Sequence, residues 1–460
     1  MTPNPPPWPG LAILLLAGFV TIFDLFVVNV AIPSMQADLG ASLSQIGFIV
    51  AGYELAFGVL LITGGRLGDL YGRRRLFVAG MAGFTLASLL CGLAPTVGFL
   101  IAARVAQGLA AALLFPQVYA SIRVNFTGED RQRAFGFLGM TLGLAAIAGQ
   151  ILGGYLVEAD LLGLGWRTIF LINVPIGLIA IAAARFIPET RAPERPALDW
   201  AGVALVSLGL ALLLIPLIEA PIRGGSIAAA LVLTAFYYHQ EHRRKTGRQP
   251  LVDMTLLRQP RFAQGGVLVL LIYSTSASFF LCFALLAQTG FGLSPFAAGR
   301  VFAPCSIAFV VLSLSAPRLV AQFGTRAIAI GALIYAAALA VLIGQVWQAG
   351  AALVVPHLIP VLIVIGGAQA MIMTPLLNLV LGFVAERQAG MASGVISTLQ
   401  QVGAALGVAV VGMLFGGVLG AGPADRALYA SAFVAGMGYN VGAAILATFV
   451  LLRLGRARNP

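Results

Sequence analysis

Apolar runs of about 20 residues, separated by short polar or glycine-containing breaks, recur along the whole of this 460-residue chain. Fourteen such runs can be drawn, at approximately 11–32, 45–68, 76–95, 97–121, 134–157, 167–187, 197–217, 224–239, 262–288, 296–317, 326–346, 352–384, 390–420 and 428–454. Each predicts a membrane-spanning α-helix. The eighth is the weakest: about 16 residues at 1.5 Å each give roughly 24 Å, short for a span unless its flanks snorkel. Basic residues gather in alternate breaks. One set holds Arg73 to Arg75; Arg123, Arg131 and Arg133; Arg185, Arg191 and Arg195; Arg243, Arg244, Lys245, Arg248, Arg258 and Arg261; Arg318 and Arg326; Arg387; and Arg453, Arg456 and Arg458. In the other set Arg223 and Arg426 are the main exceptions. Positive loops stay on the cytoplasmic side, so the pattern predicts a multi-pass protein of the plasma (inner) membrane with both termini in the cytoplasm.

Composition changes this picture little. Hydrophobic residues make up 60% of the chain and charged ones 9%, where a soluble domain carries about 25%. The expected class is an all-α polytopic membrane protein. A net charge of +11 would suggest nucleic acid in a soluble chain, but here the charge sits in short loops between spans and reads as membrane orientation. Cys91, Cys282 and Cys305 all fall in apolar runs, so neither a disulfide framework nor a metal site is expected. His239 and His242 lie in the basic stretch His239–Arg261 with no ligand partners nearby. No nucleophile–base pair, phosphate loop or cofactor fingerprint stands out, so an enzyme is the weakest reading and no cofactor is expected. The proline-rich Met1–Gly10 lacks a basic region and a cleavage site; the first helix is expected to act as its own insertion signal.

Two acids lie well inside apolar runs, Asp24 and Glu54. Each costs a few kcal/mol at bilayer depth. A carboxyl in apolar surroundings favours its neutral form, so such a group can exchange protons. Asp24 and Glu54 each lie about eight residues, roughly 12 Å, from the outer end of their run, and Arg104 about seven residues, roughly 11 Å. Three chargeable groups on three helices thus share one depth. They form either a structural ion pair with a spare polar group, or a site where Asp24 and Glu54 exchange protons and a cationic ligand with Arg104 as basic partner. Uncharged polar and aromatic residues add candidates for a cavity lining: Phe23, Asn29, Tyr53, Gln107, Asn173, Tyr273, Phe279, Asn378 and Gln401. Aromatic faces can hold lipophilic cations.

Between the second and third runs stands Gly64-Gly65-Arg66-Leu67-Gly68-Asp69-Leu70-Tyr71-Gly72-Arg73-Arg74-Arg75. Its glycines permit close approach and a sharp turn, and Asp69 can pair with one of the arginines. A fainter copy, Ala316-Pro317-Arg318-Leu319 with Phe323-Gly324-Thr325-Arg326, lies 252 residues on and lacks the acid. Related loops in two halves are the mark of an internal repeat that rocks about a central site.

The first of these stretches resembles the loop between helices 2 and 3 of the major facilitator superfamily of secondary transporters. Other stretches are similar to its fourteen-helix drug:proton antiporters: Phe23-Asp24 through Pro33, Arg104-Val105-Ala106-Gln107-Gly108, Gly143 through Gly154, Gly165-Trp166-Arg167 through Pro175, and Pro250-Leu251-Val252-Asp253 with Arg258. The resemblance implies the major facilitator fold, with two six-helix bundles (1–190 and 262–460), an inserted two-helix hairpin (191–240) and a basic linker (241–261). It implies proton-coupled export of lipophilic, cationic compounds by a monomer among membrane lipids. Asp24 would alternately meet protons and drug, and Arg104 would assist. Gly65, Arg66, Asp69, Gly72, Arg73 and Arg74 would form a cytoplasmic gate, and Gly143, Gly149, Gln150, Gly153 and Gly154 the antiporter motif. Two departures stand out. Gln150 takes the place where that motif has proline, and helices 9 and 10 offer Arg300 but no acid. Export of an anionic or neutral metabolite or lipid is the alternative, and a non-transporting receptor or structural subunit a further one.

Overall fold

A computed structural model describes residues 8–191, 198–219, 223–384, 389–420 and 424–456. Arg195, Arg387 and Arg458, part of the charge bias above, lie outside the described residues. The first half contains α1 (Trp8–Leu39), α2 (Leu43–Tyr71), α3 (Arg73–Gly92), α4 (Val97–Asn125) and α5 (Gly128–Glu158). Its sixth span, Gly165–Phe186, contains α6 (Thr168–Leu171) and α7 (Asn173–Ala183). Then come α8 (Trp200–Glu219), α9 (Arg223–Lys245) and the short α10 (Met254–Arg258). The second half contains α11 (Pro260–Ala284), continued by a π turn at Leu285–Gly290, then α12 (Pro295–Phe323) and α13 (Thr325–Ala349). It closes with α14 (Ile359–Leu381), α15 (Ala389–Leu419) and α16 (Arg426–Arg456).

Local sequence sets the helix ends. Ser42 and Gln45 form a reciprocal capping box at the start of α2. Thr96 and Ser294 cap α4 and α12 by accepting from the N–H three residues on. Gly72 stops α2 and opens α3 with φ of 108°, and Gly324, 252 residues later, does the same between α12 and α13 with φ of 61°. The two copies of the loop thus share their turn residue.

Within the first half α1 packs on α5, and α4 lies between α2 and α3. Within the second, α11 packs on α15 and α16, α12 on α14, and α13 on α14 and α16. The halves meet along two seams, α2 against α15 and α5 against α12. The α8–α9 hairpin lies outside them, with α8 against both α2 and α15.

Close helix approach depends on particular glycines. A β-carbon on Gly64 would stand 2.0 Å from the Ala112 carbonyl oxygen on α4, whereas one on Gly65 meets nothing nearer than Pro116 at 3.8 Å. Gly64→Ala is therefore expected to destabilise the fold by about 1–3 kcal/mol. Thermal unfolding in detergent checks this, with Gly65→Ala expected to melt like the wild type. Not every glycine works this way: Gly136, Gly139 and Gly412 face open space.

Two expectations are corrected. Twelve helices among the described residues are long and apolar enough to cross a membrane, not fourteen. The inserted pair, α8 and α9, is not among those twelve; α9 ends in His242, Arg243, Arg244 and Lys245. His239, expected to stand alone, lies 2.8 Å from the buried Asp199 carboxylate, which also accepts from Gln240 at 2.7 Å and from the Gly202 N–H at 3.0 Å. Burial pushes the Asp199 carboxyl up, but these hydrogen bonds outweigh it and hold it below the usual carboxylate range. Gln240 also accepts from the Leu251 N–H at 2.7 Å, so the basic linker is tied to the hairpin.

Candidate functional site

Asp24 on α1 and Arg104 on α4 form a wholly buried ion pair, 0% and 1% exposed, with Oδ2 2.5 Å from Nη1. The other carboxylate oxygen accepts from Gln107 Nε2 at 2.9 Å and from Asn173 Nδ2 at 3.1 Å. Arg104 also donates to Gln107 Oε1 at 2.6 Å and to the Ile49 carbonyl at 3.2 Å. Its guanidinium lies 4.2 Å from the Tyr53 ring centroid and 5.6 Å from that of Phe170. Gln107 further donates to Ser88 Oγ at 2.9 Å, which brings α3 into the cluster. A charge pair at this depth persists only when such hydrogen bonds satisfy the remaining lone pairs and protons. Asp24, Arg104, Gln107, Asn173 and Tyr53 are thus brought together.

Glu54 is different. It is buried on α2, 7% exposed, and its Oε2 has no hydrogen-bond partner among the described residues. A buried polar atom left unpaired costs about 1–3 kcal/mol, more if charged.

A cavity of about 840 Å³ opens between the halves. The first half supplies Ile22, Phe57, Leu61, Phe115 and Tyr119, and the second Tyr273, Thr374, Ser393, Ser397, Gln400 and Gln401. The cavity runs to Gly65, Arg66 and Asp69 at the glycine–arginine loop and to Gln249 of the basic linker. The opposite end of the seam is closed. There Gln288 Nε2 donates to the Val30 carbonyl at 2.9 Å, and the Phe296 N–H to Glu158 at 3.3 Å. The motif glycines shape this closed end: Gly149 and Gly153 face Phe26 and Val27 of α1, while Gly143 and Gly154 face Val310 and Pro295 of α12. Gln150 shares a narrow crevice with Asn29 and Gln288; Gln150 Nε2 and Asn29 Oδ1 have no partners among the described residues.

Of the residues expected to line a cavity, Tyr273 and Gln401 line the central one. Phe23 stacks on Phe19 with centroids 5.8 Å apart, and Phe279 sits in a ring cluster with Phe283 and Phe302. Asn378 lines a separate cavity of about 360 Å³ beside Arg261 and Thr325. Phe115, Tyr119, Thr374, Ser393 and Ser397 were not foreseen. A signal existed for part of them: Ser393, Ser397, Gln400 and Gln401 recur at i, i+4, i+7 and i+8, one face of a helix.

In the glycine–arginine loop Asp69 pairs with Arg73 at 2.5 Å, one turn along. The Arg73 N–H and Nη1 donate to Thr190 O at 3.0 Å and Thr190 Oγ1 at 3.2 Å, and the Arg74 N–H to Glu189 at 3.1 Å. A β-carbon on Gly72 would lie 2.5 Å from Glu189 Oε1. Arg66 donates to the Pro250 carbonyl at 2.7 Å. The loop is therefore tied mainly within the first half and to the linker. Glu189 and Thr190 follow the sixth span and carry no periodic signal that marks them as partners.

Solved structures with this arrangement exist. The chain superposes on a bacterial homologue of the human lysosomal transporter Spinster with a TM-score of 0.71 and 18% identity, covering 98% of both chains. It superposes on the xylose transporter XylE of E. coli with a TM-score of 0.66 and 14% identity, covering 98% and 99%. At these identities the likeness concerns the fold alone. In sequence it is 40% identical over 430 residues to a probable actinorhodin transporter of Streptomyces coelicolor, 91% of this chain and 74% of that one. It is 34% identical to the puromycin resistance protein pur8 of Streptomyces alboniger, covering 98% and 90%. It is 32% identical to a tetracenomycin C resistance and export protein of Streptomyces glaucescens, covering 90% and 77%. The family model of the Major Facilitator Superfamily matches residues 14–408. Twelve apolar helices among the described residues in two packed halves, a cavity between those halves and this match along the chain lead to one conclusion: the chain belongs to the major facilitator superfamily and is a membrane transporter, not an enzyme.

Proposed function

We propose that the chain is a proton-driven exporter, a drug:proton antiporter that moves lipophilic compounds out across the inner membrane by alternating access. The observation that carries the proposal is the contrast between two buried carboxyls. Asp24 is saturated by Arg104, Gln107 and Asn173, while Glu54 keeps an oxygen without a partner among the described residues. One acid holds a charge pair that protonation would release, and the other is ready to take a proton. Both termini are assigned to the cytoplasm by the loop charges, so the cavity faces inward in this conformation. Relatives named for actinorhodin, puromycin and tetracenomycin C support export of small bioactive molecules. The single chain, without a further subunit, suffices for this cycle.

The test is substrate-triggered proton release from acid-loaded proteoliposomes. Release is expected from the wild type with a suitable cargo. Its absence with every cargo tried, from folded protein, would remove proton coupling.

The glycine–arginine loop serves as the cytoplasmic latch in this reading. The Asp69–Arg73 pair is partly exposed, so Asp69→Asn is expected to change stability by less than about 1 kcal/mol while slowing transport. An unchanged transport rate in that variant would rule the latch out.

The nature of the cargo admits a second reading. A cationic cargo was expected because Asp24 would meet it, yet Asp24 is 0% exposed and fully engaged. The acid on the described cavity wall is Asp69, at the mouth and paired with Arg73. This favours a neutral cargo.

A further inference from the structure

The two walls of the central cavity are furnished differently. On the first-half wall Phe57, Phe115 and Tyr119 form a run of touching rings. Phe57 and Phe115 meet edge to face with centroids 5.6 Å apart, and Phe115 and Tyr119 are tilted at 5.3 Å. On the second-half wall stand a phenol and two amides, Tyr273, Gln400 and Gln401, with Gln400 Nε2 donating to the Tyr273 hydroxyl at 2.6 Å. Among the described lining residues the charges are Arg66 and Asp69, both at the mouth. Deeper in, a cation would meet ring faces but no counter-charge among the described lining residues, and rings replace only part of its hydration. A flat aromatic molecule meets no such barrier. Its faces gain about 25 cal/mol for each Å² removed from water, and edge hydroxyls or carbonyls find donors and acceptors on the amide wall. The volume, about 840 Å³, lies in the usual range for a drug-sized ligand of about 300–1,000 Å³.

We infer that the cargo is an uncharged, planar, fused-ring aromatic with hydroxyl or carbonyl groups on its edge. One face rests on Phe115 and Tyr119, with the buried Phe57 ring packed behind them, and the polar edge is read by Tyr273, Gln400 and Gln401. This inference rests on the exporter reading and narrows it. The amide wall sets orientation: both glutamines offer a donor and an acceptor, so hydroxyl and carbonyl edges are each accommodated.

The experiment compares two probes built on three fused rings, neutral 1,8-dihydroxyanthraquinone and cationic ethidium, which carries a further phenyl, for binding to the purified full-length protein and for proton-driven transport in proteoliposomes. The anthraquinone is expected to bind at least about tenfold more tightly and to be the one transported. Gln401→Leu and Tyr273→Phe should each weaken its binding about tenfold, with melting temperatures unchanged. A variant that gains a property guards against simple misfolding: Gln401→Glu, nearly isosteric, should admit ethidium by placing a carboxylate on the wall. Ethidium transported as well as or better than the anthraquinone by the wild type would overturn the inference and leave the exporter reading intact. Transport of neither probe by folded protein would overturn both. Unchanged anthraquinone binding in both wall variants would overturn the assignment of the polar edge.

Discussion

Asp24→Asn is expected to abolish transport and to destabilise the protein by about 3–5 kcal/mol, because it leaves Arg104 charged and unpaired in the interior. The guanidinium would keep its contacts with Gln107 and the Ile49 carbonyl, but these neutral acceptors do not balance its charge. The double variant Asp24→Asn with Arg104→Gln separates structure from function. With no charge left to desolvate, it should recover much of the lost thermal stability while transport stays absent. Replacing a buried pair by neutral groups is often near neutral in stability, whereas removing one partner is not. Thermal unfolding and proteoliposome transport on the single and the double variant decide the matter. Full transport by a folded double variant would reduce the pair to a structural element and leave coupling to Glu54 alone.

Glu54→Gln is expected to do the opposite to stability and similar damage to coupling. Glu54 Oε2 has no hydrogen-bond partner among the described residues, so an amide of the same size forfeits little that is visible in the fold. The melting temperature should stay level or rise. Cargo-triggered proton release should be lost, while passive, gradient-independent equilibration of cargo persists. The comparison with Asp24→Asn is the informative part: two acids at one depth, one lost at great cost to the fold and one at little. Retained proton release in Glu54→Gln would move the coupling role to Asp24.

Asp24, Arg104, Gln107 and Asn173 were all legible as polar groups inside apolar runs, and the expense of burying them marked them as special. That they converge on one another was not legible, since depth along a helix can be counted but rotation about its axis cannot. The same gap explains the lining. Tyr273 and Gln401 turned inward to the cavity, while Phe23 and Phe279 turned into ring packing and Asn378 into a separate cavity. The polar face of α15 was written in its i, i+4, i+7, i+8 spacing, yet serine in an apolar helix is also ordinary packing between helices. The inserted hairpin illustrates the limit of hydropathy alone: both segments form helices, of 20 and 23 residues, yet neither is among the twelve spans counted over the described residues, and α9 closes on a basic turn.

By itself the sequence determined the class, the helix count of each half, the loop charges and the two matching glycine turns at Gly72 and Gly324. These follow from local causes: run length against bilayer thickness, charge against the membrane potential and interface, and a positive φ that glycine adopts without strain. The tertiary structure alone decided that Asp24 is sealed by Arg104 while Glu54 Oε2 has no partner among the described residues, that His239 meets Asp199, and that the cavity wall is aromatic on one side and amide on the other. Each of these depends on how helices far apart in the chain rotate and press together, and close packing at contacts such as Gly64 on Ala112 fixes that rotation only when all the partners are present.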